Sequence, residues 1–186
     1  SHSAAYAMVC YQTAYLKANF PTQYMAAQMT CEKQNNDKIV DYMNECRRMG
    51  IKVLPPSINE SYSDFTMMSE NKILCGLGVI KNVGEKAIES IVSARKMEGK
   101  FSSIYDFCER IDLRLVNKQV IESLVKAGCF SEIPGHGAQF LGGIETLLQL
   151  GNRLNRDRRM GQMSLFDTTN HDSGSNEYHH LPDTEK

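Results

Sequence analysis

Apolar residues recur at helical spacing through most of this chain and break that rhythm only between Ile51 and Cys75. From Ala4 to Ala18 the residues Ala5, Val9, Thr13 and Leu16 share one predicted helix face, widened by Tyr6, Cys10 and Ala14, and Pro21 ends it. A second helix is predicted over Pro21–Met29, with proline at its first position and Tyr24, Met25 and Met29 inward. Asn36 is the expected cap of a third helix, Asp37–Met49, in which Ile39, Tyr42, Met43 and Cys46 line one side before Gly50 closes it. Ile51–Leu54 then reads as a short strand stopped by Pro55-Pro56. Ser63–Met68 and Lys72–Cys75 read as a strand pair joined by Ser69-Glu70-Asn71. Strands this short must lean on the preceding helices.

Leu77–Ile91 reads as a short helical turn, a tight hairpin at Lys81–Gly84 and a helix from Glu85, with Ala87, Ile88, Ile91 and Val92 on one face. Positive φ is expected at Asn82 and Gly84, the residue types that adopt it most cheaply. After Gly99, a helix is predicted over Phe101–Arg110 with Ser102 or Ser103 as cap, then a connection over Asp112–Val116. Asn117 caps a further helix that runs to Ala127 and stops at Gly128. Laying Ala87–Ala94 over Val120–Ala127 brings Ile88, Glu89, Ser90, Val92 and Ala94 onto Ile121, Glu122, Ser123, Val125 and Ala127. Gly84 then falls on Asn117 and Lys81 on Arg114, which predicts a doubled hairpin whose halves pack face to face. Ser131–Gly143 reads as a Gly-rich linker, and Gly143–Arg159 as a helix carrying Ile144, Leu147, Leu148 and Leu154. Beyond Asp167 the composition is polar and reads as a disordered tail.

Composition changes this picture little. The 186 residues are 41% apolar and 23% charged, with net charge −1, so any nucleic-acid role must come from local placement of charge. No apolar run reaches the length of a membrane span, and no signal-peptide pattern is present. The six cysteines show no paired spacing and sit mostly at apolar positions, as in a cytoplasmic protein with reduced thiols. The opening Ser1-His2-Ser3 falls inside a motif, so the chain is expected to be part of something larger.

Two stretches carry chemistry. A helix that begins just after a tight turn offers unpaired amide N–H groups and partial positive charge to an anion. Val83–Lys86, with Lys81 and Lys86 beside it, is therefore a phosphate seat or, on the same residues, only a tight turn between helices. Two such seats would grip both strands of a duplex by the backbone, without reading sequence. The second stretch is Gln162-Met163-Ser164-Leu165-Phe166, whose amide and Leu-Phe pair suit a linear peptide that docks in a partner's groove. Burying those two side chains is worth about 1.5–3 kcal/mol each; folding back on the chain's own helices is the other use of them. His2, at a helix start, either touches an anionic ligand or caps. No catalytic triad and no metal-binding carboxylate pair is apparent.

Several of these stretches resemble one family. Ser1-His2-Ser3-Ala4-Ala5-Tyr6-Ala7, Tyr11–Lys17, Glu45–Ile51, Leu54–Asn59 and Gly76–Gly84 are similar to the late fingers region of the bacterial replicative DNA polymerase III alpha subunit family (family C). The resemblance runs over about residues 1–130. It implies a mainly α fold: a helical fingers remnant with a small three-stranded β element over 1–75, a tandem helix-hairpin-helix over 76–130, a Gly-rich linker and helix over 131–161, and a clamp motif with disordered tail over 162–186.

The resemblance implies that Lys81, Asn82, Val83, Gly84 and Lys86, with a smaller share from Arg114, Asn117 and Lys118, hold the backbone of duplex DNA. Gln162, Leu165 and Phe166 would bind a sliding clamp, and His2 would lie near the nucleotide. Asn82 departs from the glycine usual in such hairpins, and Asn117 from the glycine of the first. The parent would be a Mg2+-dependent DNA-directed DNA polymerase with further replicase subunits as partners. Its catalytic carboxylates lie upstream, so this segment alone is expected to be inactive and to need no cofactor. A stand-alone helix-hairpin-helix adaptor of a repair or recombination factor fits part of the pattern. A repair glycosylase fits less, because Asp106 and Asp112 have no motif around them.

Overall fold

The computed structural model describes residues 2–159, with side chains from Ser3 to Arg153. Three helices come first: α1 (His2–Asn19), α2 (Pro21–Cys31) and α3 (Asn36–Arg48). Strands β1 (Lys52–Leu54), β2 (Thr66–Ser69) and β3 (Lys72–Leu74) follow, then a single 3-10 turn at Leu77–Val79. The remainder is helical: α4 (Glu85–Glu98), α5 (Ile104–Arg110), α6 (Lys118–Lys126), α7 (Gly137–Gly142) and α8 (Ile144–Arg159). The chain is thus mainly α with one small three-stranded sheet. It divides into two compact units, one of residues up to Pro56 with Glu60–Lys81, the other of Ser57–Asn59 with Asn82 onward.

In the first unit α2 and α3 pack over the sheet. Met25 and Met29 from α2, Ile39 and Cys46 from α3, and Ile51, Phe65, Ile73 and Cys75 form its core. The α3 cap is Asn35, whose side chain accepts the Lys38 N–H; Asn36, the expected cap, is already the first helical residue. Gly50 ends the helix as predicted, with φ +72°. Its N–H donates to Arg47 O and the Ile51 N–H to Cys46 O, a paired closure that puts buried Ile51 back over buried Cys46. The β2–β3 pair is antiparallel, while β1 joins the other edge of β3 in parallel, with Val53 opposite Ile73. Proline stops β1 and the next ten residues make the return, so β3 lies in the centre.

α1 departs from expectation. Its apolar residues are spread around the whole helix, and Tyr6, Met8, Val9, Tyr11, Tyr15 and Leu16 are exposed. Only Thr13 and Lys17 are partly covered, and Lys17 pairs with Glu45 of α3 at 2.8 Å. The predicted inward face is not buried: among the described residues α1 packs chiefly along α2 and reaches α3 through the Lys17–Glu45 pair.

In the second unit the aromatic rings Phe101, Phe107, Phe130 and Phe140 stack edge to face in series, with centroids 5.1, 5.1 and 6.1 Å apart. α5 starts at Ile104 after Ser103, one of the two expected caps, whose side chain accepts the Asp106 N–H; Phe101, placed inside the predicted helix, lies before it and is buried in the core. α8 lies against α5 at Gly151, where a Cβ would come within 2.8 Å of Cys108 O. Ser131–Gly143, expected as a linker, contains α7 and buries Ile133 and Phe140. The glycines there permit Gly135 its φ of +121° beneath the Phe140 ring rather than a loose connection. Ser57–Asn59 completes this unit: Ile58 is buried, its N–H donates to Cys129 O and its carbonyl accepts from Arg95. Asn59 exchanges hydrogen bonds with both backbone groups of Phe101.

Candidate nucleic-acid interface

The second predicted hairpin lies within the second unit, whereas the first is divided by the boundary, with Lys81 ending the first unit and Asn82–Gly84 opening the second stretch of the other; the two tips are built differently. In the first, Asn82 takes φ +69°, the only non-glycine among the described residues to do so. Val83 is buried and anchors the turn. Gly84 is the residue before α4, and no side chain caps that helix. Contrary to the sequence reading, Gly84 does not need positive φ: it sits at φ −82° and ψ 161°, a conformation open to any residue. A Cβ built there would meet nothing within 4 Å.

The neighbouring glycines of the same motif behave otherwise. At Gly78 a Cβ would come within 2.7 Å of Ser63 O, and Gly76 is crowded by the backbone of Ser63 and Asp64. Gly76 and Gly78 are therefore glycine for the packing of the first unit. Gly84 has no such internal reason.

Lys86 is exposed, as is Lys81, the last residue of the first unit, and the described residues give neither an ion-pair partner.

The second hairpin is closed on itself. The Asn117 side chain accepts the Val120 N–H at 3.1 Å, so the entrance of α6 is already capped. Arg114 holds Asp112 through Nε at 3.0 Å and Nη2 at 2.7 Å, and Asp112 Oδ1 also accepts the Arg114 N–H. Lys118 donates to Glu145 of α8 at 2.6 Å. Hydrogen bonding to Asp112 and its charge raise the Arg114 pKa; the same two causes from Glu145 raise that of Lys118, and Lys118 in turn lowers that of Glu145.

The halves are linked reciprocally through the serines at matching positions of the repeat. Ser90 Oγ of α4 accepts the Asp112 N–H at 3.2 Å, at the entrance to the second hairpin. Ser123 Oγ of α6 accepts from Asn82 Nδ2 at 3.3 Å, at the tip of the first. The sequence reading missed these contacts and the role of Glu145. For the serines a signal was available, since each is the polar residue kept on an otherwise apolar face of both copies. Glu145 lies outside the repeat and gave no signal. Of the other predicted residues, the His2 side chain and all of Gln162, Leu165 and Phe166 lie outside what the structure describes.

Residues 50–140 match a family model described as a helix-hairpin-helix motif. The chain is 43% identical over 184 residues to the DNA polymerase III subunit alpha of Haemophilus influenzae, a match covering 98% of this chain and 16% of that protein. Its relatives are DNA polymerase III alpha subunits. Those of Escherichia coli, at 40% identity over 89% of this chain, and Neisseria meningitidis, at 43% over 90%, extend the same match. In both the chain spans 14% of the alpha subunit's length. This places the helix-hairpin-helix within a segment of these alpha subunits that also includes α1–α3 and the sheet. Among the described residues no helix is long and apolar enough to cross a membrane.

Proposed function

We propose that this chain is the segment of a replicative, DNA-directed DNA polymerase that holds duplex DNA by its backbone and tethers the enzyme to a sliding clamp. The observation that carries the first part is Gly84. It is a glycine the fold does not require, at an uncapped helix entrance, flanked in sequence by the exposed Lys81 and Lys86, in a chain with a helix-hairpin-helix match. An absent side chain at such a place lets a phosphate oxygen come to the first amides of α4. Lys81, Asn82, Val83 and Lys86 complete the seat: Val83 anchors the turn, Asn82 sets its left-handed step, and the lysines supply charge. Arg114, Asn117 and Lys118 take the smaller share, because Asn117 caps its own helix and both cations face carboxylates. A contact of this kind reads no base and weakens with salt.

The clamp tether rests on the form Gln162-x-x-Leu165-Phe166 and its place after α8. Nucleotidyl transfer belongs in this reading to the longer parent, as do Mg2+, the further replicase subunits, a cytoplasmic setting and any nucleotide contact of His2. Among the described residues no three His, Cys, Asp or Glu side chains gather as a metal site would need. In this reading the catalytic carboxylates lie in the longer parent, so the segment by itself is expected not to polymerise.

The test is duplex binding by the whole chain. Gly84→Val with Lys86→Glu should lower affinity for a mixed-sequence duplex by at least about tenfold at low salt. Its thermal unfolding should barely move, since the space beside Gly84 is open and its φ is ordinary. Unchanged affinity, or affinity that ignores salt, would remove the assignment.

A further inference from the structure

The contrast between the hairpins has a chemical meaning beyond a weaker second seat. Lys118 is the first residue of α6, so its ammonium lies where that helix end favours an anion, and an anion is held there: the carboxylate of Glu145, at 2.6 Å. Glu145 comes from α8, outside the repeat, and the described residues give it no partner besides Lys118. Its side chain is 75% exposed and that of Lys118 47% exposed, so the pair is screened by water and easily exchanged. The Arg114–Asp112 pair differs. Asp112 also accepts the Arg114 N–H and gives its own N–H to Ser90, which builds it into the turn.

We infer that Glu145 is an internal stand-in for a DNA phosphate, occupying the second hairpin of the free protein and giving way to the duplex backbone when the chain binds. This rests on the duplex-holding reading above, which already gives Lys118 a share of the grip, and adds to it the group that guards that share. The exchange is balanced in charge. The phosphate takes Lys118 and the released carboxylate goes to water. Binding at this hairpin therefore gives up an internal ion pair that binding at the first does not, and because salt weakens that pair as well, its loss offsets part of the salt dependence of the phosphate contact. α8 leads directly toward Gln162–Phe166 in the chain, so the displaced carboxylate belongs to the element that carries the proposed tether.

The experiment measures duplex affinity of the full chain against salt, using a mixed-sequence oligonucleotide, for the natural sequence, Glu145→Gln, Lys118→Gln and the double variant. Glu145→Gln should bind about threefold more tightly at low salt and show a steeper logarithmic salt dependence, with the gain fading at high salt. In the Lys118→Gln background the same change should give no gain in slope. A gain of equal size in both backgrounds would show that Glu145 acts only as a repulsive charge, and an unaltered slope that it guards nothing; either overturns the inference. Failure of the underlying reading is seen elsewhere, as a duplex affinity indifferent to Gly84→Val with Lys86→Glu.

Discussion

Two glycines two turns apart show how a residue's identity is explained by different causes. Gly78 is fixed by the backbone of Ser63 pressed against it, Gly84 by nothing inside the molecule. The cysteines divide in the same way. Cys10 and Cys31 are exposed, whereas Cys46, Cys75, Cys108 and Cys129 are buried. Burial pushes the Cys75 thiol up to about 11 and that of Cys108 to about 12. A thiol-specific alkylating reagent at pH 8 should therefore modify Cys10 and Cys31 in the native chain, and the other four only in denaturant, as mass spectrometry would count. The linkage has a definite sign. Above the ordinary thiol pKa of about 8.5 the unfolded chain gives up protons that the folded chain keeps, so stability falls as pH rises beyond that point. Labelling of Cys108 under native conditions at a rate like that of Cys10 would contradict its place beneath α8.

At the scale of elements, the helices were legible because their caps and stops are local. Asn117, Gly50, Gly128 and Pro21 all act within a turn of where they stand in the sequence. The parallel pairing of β1 with β3 was not legible, since three-residue strands carry no register signal of their own. Nor was α7, where glycines that suggest a linker serve a tight approach to Phe140. Arg110 was equally silent. It lies over the Phe101 ring at 4.5 Å and donates to the carbonyls of Ala94 and Gly99, tying the end of α4 to α5. The segment Ser57–Asn59 is the element with the sharpest expected cost. Ile58 is 1% exposed, with its N–H bonded to the Cys129 carbonyl and its own carbonyl to the Arg95 side chain, so Ile58→Ala should lower stability by about 2–5 kcal/mol in denaturant titration. Little change would mean the segment is not seated in the second unit.

For the whole molecule, charge explains why composition was a poor guide. A net charge of −1 hides open lysines at one hairpin and neutralised cations at the other, and only pair distances separate them. The site was legible in the sequence as far as the repeat reached. Gly84, Asn82 and the matched serines could be found there, but the partner of Lys118 could not, because it comes from a helix outside the repeat. The tether is tested at this scale too. A peptide spanning Gly161–Asp167 should bind a sliding clamp in calorimetry, with roughly micromolar affinity, and Leu165→Ala with Phe166→Ala should abolish the heat of binding. Equal heats from both peptides would refute the tether.

The path of the chain through its two units has a further consequence. Three residues at Ser57–Asn59 cross into the second unit long before the rest of it begins at Asn82. A piece started after Asn59 carries every residue of both hairpins and still leaves a vacant slot where Ile58 should lie. The hairpins therefore cannot be transplanted by cutting at the obvious boundary before them. Recombination that moved them between genes with Ile58 in place would have to carry β2 and β3 along.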